Sequence, residues 1–181
     1  MEPLPNLRMM VRSALFTALI IIGAYISIPV GEVPIVLSDF MVMLCGLLLG
    51  WRWALVSVGM YLFLGAIGFP VFAGGSGGWH HFYGPTGGYL AGFLVSALLI
   101  GFISQGKNSI VWDLIALVCG SASVFLLGVT WLKLKLGLSI PAAIAAGFLP
   151  FIPFNIAKML AAATIARISR PFLQKNEHKE V

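Results

Sequence analysis

The chain has 181 residues, 60% of them hydrophobic and only 9% charged, with a formal net charge of +5 and a mean hydropathy of +1.01. Soluble domains carry roughly 25% charged residues. So few polar groups cannot coat a water-exposed surface, which excludes an ordinary soluble globule and points to one membrane domain over residues 1–181.

Arg8 and Arg12 precede the first apolar run, which is uncharged from residue 13 to residue 31. That is long for the apolar part of a secretory signal, so residues 10–28 read as a retained first span. A hydrocarbon layer of roughly 30 Å takes about 20 helical residues. Cutting at charges and Pro/Gly clusters gives further spans at 37–50, which is short and has Asp39 near its start, at 53–69, at 88–104 and at 112–132. The last apolar stretch is interrupted: 140–149 is apolar, Pro150 and Pro153 follow, and 155–168 resumes. Proline removes a backbone donor and disfavours helix just before it. Residues 140–153 therefore read as a partly helical re-entrant loop, with the sixth span starting near Phe154.

Six spans put both termini on one side. Arg8, Arg12, Arg52, Lys107, Arg167, Arg170, Lys175 and Lys179 fall on that side, Lys133 and Lys135 on the other, and Lys158 within the membrane. By the positive-inside rule both termini are cytoplasmic. Residues 171–181 then form a cytoplasmic tail, solvated from 175 onward. The net charge is thus accounted for by topology, and no pattern points to nucleic acid. Cys45 and Cys119 sit in apolar runs without a CxxC and read as small core residues.

The connection between the third and fourth spans, GFPVFAGGSGGWHHFYGPTGGYLAG over 68–92, holds nine glycines and no Asp, Glu, Lys or Arg. Irregular backbone at membrane depth is tolerated only against protein or a water-filled cavity. Glycine also lets backbone amides approach a ligand closely, and the rings of Phe72, Trp79, Phe82, Tyr83 and Tyr89 could wall an apolar pocket. A tight structural loop with interfacial aromatics fits the same composition.

Within this loop, residues 74–77 fit GxSG, the nucleophile motif of rhomboid-type intramembrane proteases, with His80 and His81 close by. Serine chemistry needs a base held by a separate element, and a His four or five residues on in one loop is not that arrangement. Residues 101–107 resemble GxxxxGK, but Asn108 stands where a P-loop has its hydroxyl, and the run ends a membrane span. No nucleotide site follows. Lys158 stands out, because an ionisable residue inside the membrane is a functional candidate by default. Asn155, three residues earlier, shares its helix face; a helix cap at Asn155 and a snorkelling Lys158 are the structural alternatives. Small residues recur at four-residue spacing in Ala14/Ala18, Ala157/Ala161 and Ala162/Ala166. Such pairs let helices approach closely, inside the bundle or against a partner.

Several of these pieces together resemble one family. FPVFAGGSGG…GPTGGYLAGF is similar to the signature of BioY, the biotin-specific substrate-binding (S) component of energy-coupling factor (ECF) transporters. VPIVLSDFMVMLCGLLLG resembles that family's VPxTLQxxxxxLxGLLLG, and GFLPFIPFNIAK its GxxPFxPGDxxK. Ala14 and Ala18 match the AxxxA motif by which such components dock on the membrane-embedded coupling subunit. The likeness runs over about residues 10–170. The chain departs from it at Val36 and Ser38, where the family has Thr and Gln, and at Phe154 and Asn155, where it has Gly and Asp. Asn155 leaves Lys158 without the usual carboxylate neighbour, and Asp39 is the residue that can stand in.

The resemblance implies an all-α membrane protein of six helices, an outer ligand pocket, and no enzymatic activity or cofactor of its own. It implies biotin as ligand. Its partners would be membrane lipid, the coupling subunit and two ATP-binding subunits, which alone would hydrolyse ATP. The expected ligand residues are Phe72, Gly75, Thr86, Gly88, Tyr89, Asn155 and Lys158, with Ala14 and Ala18 for docking. A GxSG protease and a stand-alone facilitator for a biotin-related ligand are the alternatives. Topology is checked by cysteine accessibility after Cys45 and Cys119 are replaced. A membrane-impermeant reagent should reach a Cys at Ser76 or Ser139 but not at Asn108 or Asn176, and the reverse would overturn the orientation.

Overall fold

The computed structural model describes residues 5–175, with side chains from 7 to 172. The first helix, α1 (Pro5–Tyr25), buries Ser13, Thr17, Ile20 and Ala24 and turns Leu15, Leu19 and Ile22 outward. That is a helical stripe whose outer face is as apolar as its inner one, the pattern of a helix solvated by lipid. After it comes a two-residue antiparallel ladder, β1 (Ser27–Ile28) with β2 (Ile35–Val36). The sequence gives no strand signal here, because two residues show no periodicity.

Next is α2 (Ser38–Ala66), which holds two expected spans in one apolar run. Gly50 breaks it, with φ 73° and ψ 171°, values that a residue with a Cβ rarely adopts. The break reverses the chain. Thr17 Oγ1 donates to the Ser57 carbonyl at 3.0 Å, while a Cβ on Gly23 would lie 2.9 Å from the Ser38 amide. Thr17 and Gly23 are about 9 Å apart along α1, whereas Ser38 and Ser57 would be about 28 Å apart on a straight helix. The two arms therefore lie side by side.

The loop from 67 to 86 contains a 3₁₀ turn at Ala73–Gly75 and a short helix, α3 (His80–Tyr83). It leads into α4 (Gly87–Ser104), which packs closely on α5 (Ile110–Leu136). A Cβ on Gly88 would sit 2.3 Å from Trp131 Cβ, so only glycine permits this approach. The expected re-entrant segment is α6 (Ile140–Gly147), capped by Ser139 Oγ accepting from the Ala142 amide, then a 3₁₀ turn at Leu149–Phe151. The final helix, α7 (Ile152–Lys175), starts two residues before the expected Phe154, because Pro153 fits a first helical turn, where its missing N–H is not needed. Of the expected tail, 171–175 continue α7; residues 176–181 lie outside the described residues.

Among the described residues, five helical stretches are long and apolar enough to cross a membrane, and large apolar side chains such as Leu126 and Phe102 stand about 70% exposed around the bundle. The chain is an all-α, multi-pass membrane protein. Its last stretch, Ile140–Phe172, is only 11% buried in its most apolar window, against 61% for Gly87–Ser104. Charge compensates for the thin packing. Arg170 donates Nη1 to Asp113 Oδ2 and Nη2 to Asp113 Oδ1, both at 2.7 Å, and Nη2 also to the Leu47 carbonyl at 3.2 Å. Asp113 is 1% exposed, so losing its cation leaves a buried charge unmatched. Arg170→Met is expected to destabilise by about 3–5 kcal/mol, read as a lower midpoint in thermal unfolding in detergent. An unchanged midpoint would mean the pair contributes nothing to holding α7.

Candidate functional site

Where α1, both arms of α2, α4, α5 and the start of α7 converge under the 67–86 loop, they enclose a cavity of about 270 Å³. Its walls are mostly apolar and aromatic. Tyr61 and Phe72 meet edge-on at 5.4 Å, Tyr89 stacks on Phe151 at 6.3 Å, and Phe125 meets Phe151 at 6.0 Å. Hydrogen bonds between elements hold these rings and their loop. Tyr89 Oη donates to the Gly147 carbonyl at 2.8 Å, joining α4 to α6. Trp131 Nε1 donates to the Gly84 carbonyl at 2.9 Å, fastening the loop to α5, and Tyr25 Oη donates to the Pro70 carbonyl, fastening it to α1.

Against that apolar wall stand a few polar groups without protein partners. His81 Nε2 and Ser121 Oγ are buried and unpaired among the described residues, and both residues line the cavity. The Asn155 side chain lines it too, from the first turn of α7, and makes no hydrogen bond among the described residues. A buried polar atom without a partner costs roughly 1–3 kcal/mol, so the unpaired His81 and Ser121 atoms, beside the Asn155 amide, mark a place for a polar ligand. Burial, and secondly the charge of a neighbouring His80 imidazolium, hold His81 below the usual histidine range.

The expected site residues fall into two groups. Phe72, Thr86, Tyr89 and Asn155 line the cavity. Gly75, Gly88 and Lys158 stand behind its wall: Gly75 faces the Tyr25 ring, and Gly88 faces Trp131. Lys158 Nζ donates to Asp39 Oδ1 at 2.8 Å and to the Val36 carbonyl at 2.6 Å. Asp39 and Val36 themselves line the cavity, so Lys158 fixes two wall residues from the second helix and its approach. Ser76 also lines it; its Oγ donates to the Ala73 carbonyl at 2.8 Å, which does not form the serine–histidine pair a protease would need. Sequence reading does not single out Ser121, Phe125 or Phe151 as wall residues. The first is a mid-span serine like several others, and the rings sit in runs where every residue is apolar.

A multi-pass helical bundle closing a small, largely apolar cavity dotted with unpaired polar groups defines a membrane-embedded binding protein for a small amphipathic molecule. The sequence profile of the BioY family matches residues 1–175. The chain belongs to the BioY family. It is 42% identical over 160 residues to the biotin transporter BioY of Thermotoga maritima, covering 88% of this chain and 94% of that one. It is 41% identical over 153 residues to the probable biotin transporter BioY of Pyrococcus horikoshii, covering 84% and 90%. Its fold matches the crystal structure of the S-component for biotin from an ECF-type ABC transporter with a TM-score of 0.84 and 35% identity, over 92% of each chain.

The Lys158–Asp39 pair separates wall construction from ligand contact. Lys158→Met leaves Asp39 without its cation and is expected to cost about 3 kcal/mol of stability. Adding Asp39→Leu should recover most of it, since replacing both members removes the unmatched charge. Thermal unfolding of the two variants beside the parent tests this; a double variant no more stable than the single one would contradict it.

Proposed function

We propose that this chain is a biotin-capturing S component of an ECF transporter, with six membrane-spanning segments, cytoplasmic termini and its cavity at the outer face. The observation that carries the reading is the cavity itself. The segments carrying the family's motifs supply its walls, and its unpaired polar atoms suit the ligand. Biotin joins a ureido ring and a thiophane ring to a valerate carboxylate. Phe72 and Tyr89, with Phe125 and Phe151, offer flat apolar surfaces to the rings. Asn155, which has both donors and an acceptor, together with Ser121, His81 and Thr86, suits the ureido group. Gly75 and Gly88 allow the loop and α4 to close, and Lys158 sets the position of Asp39. Import then depends on the coupling subunit and two ATP-binding subunits, the partners that the role of an ECF S component implies.

Titration of the purified protein with labelled biotin, with other vitamins as competitors, tests the ligand. Asn155→Ala and Ser121→Ala each remove one partner from an enclosed polar group, and each should weaken binding about tenfold. Parent protein that fails to bind biotin, or variants that bind as tightly as the parent, would overturn the assignment.

Docking rests on α1. Ala14 and Ala18 lie on its exposed face, whereas Ala162 and Ala166 are buried in the bundle. Trp at Ala14 and Ala18 should therefore block co-purification with the coupling subunit and leave biotin binding intact. Loss of both together would mean that this face supports the fold rather than the partner.

A further inference from the structure

At the opposite, basic end of the bundle a second cavity, of about 300 Å³, opens between α1, the Gly50 turn of α2, the end of α4 and α7. Its walls are of two kinds. Met9, Leu47, Leu48 and Leu49 form an apolar floor, while Arg12, Ser104, Gln105, Lys107, Asn108 and Arg170 supply polar groups. No acidic residue lines it among the described residues. Arg170 is engaged with both oxygens of Asp113. Lys107 has no carboxylate partner among the described residues, and its ammonium rests 3.4 Å from the centre of the Trp112 ring.

Ser104 is the telling group. It is 3% exposed, and its hydroxyl has no hydrogen-bond partner among the described residues. A serine in the last turn of an apolar helix ordinarily bonds a carbonyl one turn back; this one has a buried, unpaired hydroxyl and belongs to a residue that lines the cavity together with Lys107. The cavity lies where spanning helices end, which is the depth of lipid headgroups, and basic pockets between helix ends are suited to anionic headgroups. We infer that it binds the phosphate of an anionic phospholipid, with Lys107 and the Ser104 hydroxyl as partners and the leucine floor beneath the glycerol and first acyl carbons. A charge-assisted bond from the ammonium and a neutral bond from the hydroxyl fit a phosphodiester.

The test uses the full chain, delipidated in detergent, with circular dichroism and size exclusion confirming that each variant is folded. Phosphatidylglycerol, phosphatidylcholine or inorganic phosphate is added, and thermal unfolding is followed. Phosphatidylglycerol at a hundredfold excess over its Kd should raise the midpoint by about 5 °C. Phosphatidylcholine and inorganic phosphate should leave it nearly unchanged. Lys107→Gln and Ser104→Ala should each lose most of the rise. An equal rise in both variants would mean diffuse attraction to the basic face. An equal rise with inorganic phosphate would mean a free-anion site, and no rise with phosphatidylglycerol would leave the lipid without a site here. Each of these outcomes overturns the inference.

Discussion

A charge buried against protein needs a counter-charge, and in this chain that requirement anchors α7 toward both of its ends. Lys158 is tied to Asp39 on the second helix, and Arg170 to Asp113 on the fifth. The two sites are 12 residues apart on α7, about 18 Å along the helix, so one pair holds each end of a segment that buries little apolar surface. Ion pairs in low dielectric are costly to break on one side only. They therefore fix the position of α7 more sharply than its light packing would, and Asn155, one turn before Lys158, is held at the cavity with it.

Gly88, expected at the ligand, serves helix packing first. Gly88 lets α4 lie against Trp131 of α5, and that same tryptophan holds the loop through the Gly84 carbonyl. Close helix approach thus comes first, and the cavity lies beside the α4–α5 contact, lined by residues of both helices. Aromatic rings then divide the remaining space. Tyr89 is placed by both constraints: its backbone follows the close α4–α5 contact, and its hydroxyl reaches α6.

Much of this was legible in the sequence. The apolar runs, their breaks at charges and prolines, and the partly helical 140–153 segment follow from local chemistry and appear at nearly the expected bounds. The GPTGGY stretch points to the cavity, with Phe72, Thr86, Tyr89 and Asn155 in its wall. Other features depend on long-range geometry. Val36 and Lys158 are 122 residues apart, and nothing local says that the lysine spends its donors on that carbonyl and on Asp39. The unpaired state of Ser121 is a property of its surroundings, invisible in a span rich in serine, alanine and glycine. The single-glycine reversal at Gly50 shows in sequence only as a short span followed by Arg52.

That reversal bears on how the protein enters the bilayer. The arm of α2 from Ser38 to Gly50 has about a dozen helical residues, roughly 18 Å of helix against about 30 Å of hydrocarbon. Alone it would leave a mismatch too large for modest tilting or thinning to absorb, and it carries Asp39 at its leading end. It is therefore suited to insertion as one hairpin with the longer arm after Gly50. Its charged tip can settle only when α7 delivers Lys158, 119 residues after Asp39. The cavity wall around Asp39 is thus completed only by a helix made long after the arm that carries it.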